Sequence, residues 1–93
     1  MEKQIINVLL IEDDQDDFII IDDILSEVES PTISLNWENT YEGGLAAIET
    51  GEYDVCLLDY RLGEKDGIEL LKTAIDLNCQ TPIILVTGQG DRE

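Results

Sequence analysis

The chain has 93 residues, 43% apolar and 29% charged, which is the make-up of one small globular domain and too short for two. Five basic residues against 22 acidic ones leave a net charge of −17, which repels nucleic acid and anionic membrane surfaces and favours cations or basic protein partners. Histidine is absent, so Ser-His-Asp and Cys-His nucleophilic sites are excluded, and any chemistry has to come from carboxylates and hydroxyls.

No stretch approaches the roughly 20 apolar residues of a membrane span. Met1 to Gln4 run straight into a strand-like segment without the pattern of a secretory signal, and a soluble, cytoplasmic protein is expected. Ile5 to Ile11 is apolar apart from Asn7 and ends in Glu12-Asp13-Asp14, as a strand buried on both faces would read. From about Gln15 to Glu29, Phe18, Ile21, Ile24, Leu25 and Val28 recur at helical spacing with acids between them, which predicts an amphipathic helix stopped by Ser30-Pro31. The next strand alternates, with Ile33, Leu35 and Trp37 on one side and Ser34 and Asn36 on the other, as an edge strand does.

Tyr41 to Thr50 reads as a short helix with Thr40 as its N-cap and Gly51 as its stop. It leads into Val55-Cys56-Leu57-Leu58, a central strand ending in Asp59. After a turn-rich stretch from Gly63 to Gly67, Ile68, Leu71 and Ile75 mark a third helix, and Thr81-Pro82 opens a last strand, Ile83 to Val86, that ends in Thr87. Strands alternating with helices predict a doubly wound α/β fold with a parallel sheet in the order 2-1-3-4. Cys56 and Cys79 have neither CxxC spacing nor histidine partners and are expected to be free thiols.

The last strand is apolar on both faces, yet no fifth strand follows to cover its edge. With the first helix on one face and the other two opposite it, half of one face is expected to be bare. Such a surface predicts self-association or marginal stability in a truncated chain.

In an open parallel sheet, ligands bind outside the carboxyl ends of the strands where strand order reverses, here between the first and third strands. Glu12, Asp13, Asp59 and Thr87 all end strands there. Converging carboxylates repel, and a divalent cation relieves them; an all-oxygen set suits Mg²⁺ or Mn²⁺ over zinc or copper. The bland alternative, solvated loops with Asp13 or Asp14 acting only as a helix N-cap, fits each acidic run taken singly. The joint placement of acids after two strands and a hydroxyl after a third favours a site.

Three blocks, Val8 to Asp14, Leu57 to Leu62 with Asp66-Gly67, and Pro82 to Gly88, together resemble the signature of response-regulator receiver domains across essentially the whole chain. The resemblance implies a flavodoxin-like fold without its usual fifth strand and last two helices, a single incomplete receiver domain over residues 1–93. It implies a phosphoacceptor signalling domain of a two-component phosphorelay, not an enzyme, fed by a histidine kinase or histidine phosphotransfer protein. By the same resemblance Asp59 is the phosphoacceptor, Asp13 and Asp59 ligate Mg²⁺ directly, Glu12 holds it through water and Arg61 lends its backbone carbonyl. Thr87 and Gly88 would contact the phosphoryl group, with Thr87 switching position. The lysine and aromatic switch residue of a fifth strand have no counterpart before Glu93, and Gly63 stands where proline is common. Two other readings remain: a non-phosphorylating interaction or dimerisation module, and a Mg²⁺-dependent phosphatase, which the first strand argues against because it lacks a DxD arrangement.

Overall fold

A computed structural model describes residues 4–62 and 65–86. Along the chain lie β1 (Ile5–Ile11), α1 (Gln15–Ser26), β2 (Thr32–Glu38), α2 (Tyr41–Ile48), β3 (Val55–Asp59), β4 (Arg61–Leu62), β5 (Lys65–Asp66), α3 (Gly67–Asp76) and β6 (Ile83–Val86). Strands β2, β1, β3 and β6 form one sheet in that order, every pairing parallel. This is the predicted 2-1-3-4 order of a doubly wound, flavodoxin-like α/β fold. The turn-rich stretch after Asp59 adds something the composition does not signal, a short antiparallel ladder pairing Arg61 with Asp66 and Leu62 with Lys65.

Side chains alternate across the sheet. Leu9 and Ile11 of β1 join Cys56 and Leu58 of β3, Ile48 of α2 and Leu70 of α3 in one buried cluster. Each fully buried aliphatic side chain contributes about 1.5–3 kcal/mol, so this face, closed by two helices, carries most of the apolar stabilisation. Gly44 of α2 is buried directly over Ile11, and a Cβ there would stand 2.7 Å from the Ile11 side chain; the missing side chain is what lets α2 sit this close.

On the opposite face Leu10 is fully buried between Trp37 and Leu57 in the register. Helix α1 covers this side near β2, where Phe18 stacks on Trp37 with ring centroids 4.1 Å apart and planes 5° from parallel. The helix buries none of its residues fully. Ile19, Ile20 and Ile24 are at least half exposed, as is Ile84 of β6, so among the described residues this face is covered on the β2 side.

Two sequence expectations shift. Helix α1 ends at Ser26, three residues early, because the N–H groups of Glu27 and Val28 turn back to the Ile24 and Leu25 carbonyls, a tightened i to i−3 turn that closes a helix. Helix α3 turns Gly67, Leu70 and Ala74 to the core and leaves Ile75 62% exposed. The buried stripe is therefore one position away from the Ile68, Leu71, Ile75 reading; small residues at 67 and 74 mark close approach to the sheet, which a search for large apolar residues overlooks. Thr40 caps α2 as expected, accepting from the Gly43 N–H at 2.9 Å, and Gly51 follows with φ +73°, the left-handed conformation glycine adopts without strain. Cys56 is buried and Cys79 half-buried, both free.

Candidate phosphoryl and metal site

The carboxyl ends of β1 and β3 lie side by side, Ile11 opposite Leu58, so the residues that follow meet although they are far apart in sequence. Glu12 is held by its backbone. Its N–H donates to the Glu38 carbonyl at 3.0 Å, and its own carbonyl accepts from the Trp37 indole N–H at 2.7 Å. The side chain is thereby fixed in the interior, 2% exposed, beside Asp59 at 4%. Asp14 is the N-cap of α1, accepting from the Asp16 N–H at 2.8 Å, which settles which of the two candidate acids caps the helix. Asp13 is thus left beside the site, on the exposed side.

Carboxylate oxygens of Glu12, Asp13 and Asp59 all lie within 4.8 Å of one another. At that separation two negative charges repel by about 3.5 kcal/mol at an effective dielectric near 20, and burial adds a desolvation cost. Protons respond first. Burial, with the Asp59 charge adding to it against a hydrogen bond from the Asp14 N–H, pushes the Glu12 carboxyl up to about 8. Asp59 is also raised by burial, but it is held down by hydrogen bonds it accepts from Glu12 and from the Arg61 N–H. Burial thus favours a proton held on the pair, hydrogen-bonded between Glu12 and Asp59. Around the rim, burial and then the charges of Asp14, Asp16 and Asp13 raise Asp17 as well.

The loop after Asp59 is pinned from both sides. Tyr60 donates its N–H to the Val86 carbonyl at 2.9 Å, and α3 begins against the strand end. At Gly67 a Cβ would overlap the Asp59 carbonyl, so only glycine allows α3 to start there. Asp66 caps that helix, accepting from the Glu69 N–H at 2.9 Å. The Asp66-Gly67 pair thus places the backbone of Asp59, a role that spacing alone does not reveal.

Three of the expected site residues, Glu12, Asp13 and Asp59, come together. Arg61 opens β4 next to them with its residue surface exposed, and its N–H donates to the Asp59 side chain. Thr87 and Gly88 lie outside the described residues. Trp37, Asp17 and Gly67 are the participants that sequence reasoning missed. A single tryptophan ending a strand next to the acidic strand end, and Asp17 four residues after Asp13, were the available signals.

A family profile described as the response regulator receiver domain matches residues 8–93. The chain belongs to that family. Among relatives of this receiver domain, the transcriptional regulatory protein CiaR of Streptococcus pneumoniae is 40% identical over 48 residues, which are 52% of this chain and 21% of that protein. The matched stretch thus spans about a fifth of the relative's length. The Francisella response regulator 1452 receiver domain superposes with a TM-score of 0.77 at 28% identity, over 92% of this chain and 69% of that one. A structure of the phosphorylated cyanobacterial phytochrome response regulator RcpA gives 0.76 at 23% identity, over 95% and 69%, a likeness of fold. No helix among the described residues is long and apolar enough to cross a membrane.

Proposed function

We propose that this receiver domain takes a phosphoryl group onto Asp59 in a Mg²⁺-dependent phosphorelay, from a histidine kinase or histidine phosphotransfer protein. The observation that carries the reading is the buried Asp59 carboxyl group, with an oxygen within 4.8 Å of those of Glu12 and Asp13 at the carboxyl ends of the strands. An ionised carboxylate is a nucleophile without a general base. In the transfer, an Asp59 oxygen forms a bond to phosphorus while the P–N bond to the donor imidazole breaks, its electron pair leaving with the imidazole. RcpA, of the same fold, is described as phosphorylated.

The donor set fits a hard divalent cation: three carboxyl groups, two of them buried, whose oxygens gather within 4.8 Å of one another. Glu12, Asp13 and Asp59, with the Arg61 backbone carbonyl, would hold Mg²⁺ or Mn²⁺, and Thr87 and Gly88 would meet the phosphoryl oxygens. When bound, the ion supplies positive charge that offsets repulsion between the carboxylates and the incoming phosphoryl group. The chain's own contribution is to hold Asp59 still through the Arg61 N–H, Gly67 and the Tyr60 to Val86 bond, and to keep Glu12 buried behind it.

Intact mass after incubation with acetyl phosphate, with and without Mg²⁺, tests this reading. One phosphoryl adduct that requires the metal and is lost in Asp59→Asn is expected. An adduct that persists in Asp59→Asn, or none on a folded sample with Mg²⁺ present, would overturn it.

A further inference from the structure

Asp13 is the exposed member of the carboxylate cluster, yet the chain on either side of it is held. Before it, both polar groups of the Glu12 backbone are bonded to the end of β2. The N–H donates to the Glu38 carbonyl at 3.0 Å, and the carbonyl accepts from the Trp37 indole N–H at 2.7 Å. After it, Asp14 donates its N–H to the Glu12 side chain at 3.2 Å, and its carbonyl accepts from the Phe18 N–H at 3.0 Å. The ring of Phe18 then lies flat on Trp37, with centroids 4.1 Å apart. These contacts close a circuit that runs from Trp37 to Glu12, along the chain through Asp13 to Asp14, on to Phe18 and back to Trp37.

Helix α1 buries none of its residues fully, and the stack of Phe18 on Trp37 ties it, and Asp14 with it, to the end of β2. Trp37 thus serves the circuit twice, once with its ring face and once with its N–H. A phenylalanine in its place would keep an aromatic face for Phe18 and lose the donor.

Divalent cations differ in how much they ask of such a cluster. Mg²⁺ takes oxygen ligands at about 2.0–2.1 Å in near-ideal octahedral geometry, whereas Ca²⁺ accepts about 2.3–2.6 Å and irregular arrangements. The oxygens of Glu12, Asp13 and Asp59 gather within 4.8 Å of one another, and repulsion between carboxylates works to spread them. A backbone clamped on both sides of Asp13 resists that spreading, and a loosened one yields to it.

We propose that Trp37 is a positioning residue that sets the cation selectivity of the cluster: its indole N–H holds the Glu12 carbonyl, keeps Asp13 close to Glu12 and Asp59, and so favours Mg²⁺ over the larger Ca²⁺. The inference rests on the Mg²⁺ reading of the cluster given above and adds what selects the ion. Trp37 acts through the Glu12 backbone and through Phe18.

Calorimetric titrations of the full chain with magnesium chloride and with calcium chloride, at matched ionic strength, test the proposal. In Trp37→Phe, Mg²⁺ binding should weaken about fivefold, in keeping with the loss of one hydrogen bond. Ca²⁺ binding should change by less than about twofold, because that ion tolerates a looser site, so the preference for Mg²⁺ falls. Tyr53→Phe, which deletes the 2.7 Å bond from the Asn36 side chain and leaves the circuit intact, should keep the preference of the parent. Circular dichroism checks that each variant is folded; if Trp37→Phe is not, Phe18→Leu, which opens the circuit at the stack, is read by the same criterion. Equal weakening of both ions, an unchanged preference in the folded variant, or the same loss in Tyr53→Phe would overturn the proposal. Failure of the folded parent to bind Mg²⁺ would overturn the metal reading itself, whereas a parent that binds Mg²⁺ with a preference indifferent to Trp37 overturns this inference alone.

Discussion

The carboxyl groups of Glu12 and Asp59 meet across the carboxyl ends of β1 and β3, where burial raises both and favours a proton held on the pair, joining two acids from separate halves of the sequence. Binding a divalent cation there has to displace that proton. Below the raised Glu12 value of about 8, Mg²⁺ affinity should climb with pH by up to tenfold per unit, and binding should release up to one proton. Calorimetric titrations of Mg²⁺ at neutral pH in two buffers of different ionisation enthalpy measure the proton count. A count of zero would place the proton elsewhere.

The same proton links stability to pH. Glu12 ordinarily titrates near 4.5 and is raised to about 8 in the fold, so between those values the folded chain holds a proton that the unfolded chain has lost. Without divalent metal, stability should therefore fall as pH rises from about 4.5 to about 8, by at most about 1.4 kcal/mol per unit for one proton. Urea unfolding across that range in the presence of EDTA checks the slope. Glu12→Gln, which keeps a neutral donor, should flatten it, and added Mg²⁺ should raise stability most at the alkaline end.

Gly67→Ala places a methyl group against the Asp59 carbonyl, and relief requires α3 or the strand end to move. A loss of about 1–3 kcal/mol is expected, the usual cost of overpacking, together with weaker Mg²⁺ binding because Asp59 is displaced. Denaturant midpoints and metal titrations of the same variant would show both effects. A stability loss with metal affinity unchanged would mean that the contact serves folding alone.

Gly44→Ala meets a different neighbour, the side chain of Ile11. The clash is with a side chain that can be shortened, so Ile11→Val in the same chain should recover part of the loss, again about 1–3 kcal/mol for the single change. A double-mutant cycle reads the coupling, expected to be about 0.5 kcal/mol or more for residues in contact. Additive effects would show that α2 slides aside instead.

Phe18→Ala removes the ring stacked on Trp37. For a half-buried aromatic pair the expected loss is about 2 kcal/mol, with a red shift in the emission of Trp37, the only tryptophan in the chain, as water reaches the indole. Because the Trp37 N–H holds the Glu12 carbonyl, the variant should also change the Mg²⁺ response of that emission.

Continuous apolar runs at β1 and β3, one alternating strand at β2 and the N-cap at Thr40 are local patterns, and each element they predict is present. They are legible because burial on one or both faces imposes its own period on the sequence. The apolar spacing places helix α3 but sets its buried stripe one position off, since Gly67 and Ala74 are buried through closeness to the sheet and not through size. The ladder between β4 and β5 leaves no such pattern, because strands of two residues have no period.

From sequence alone came the strand order and the place where acids would gather, because parallel crossovers have one hand and strand ends meet where the order reverses. The tertiary structure decided which acid caps α1, how deeply Glu12 and Asp59 are buried against each other, that the Arg61 N–H grips Asp59, and that Gly67 sets the backbone beneath it. Those outcomes depend on separations of a few ångströms and on burial, between segments brought together only by folding. Charge repulsion and desolvation are functions of distance in space, and distance along the chain carries almost no information about them.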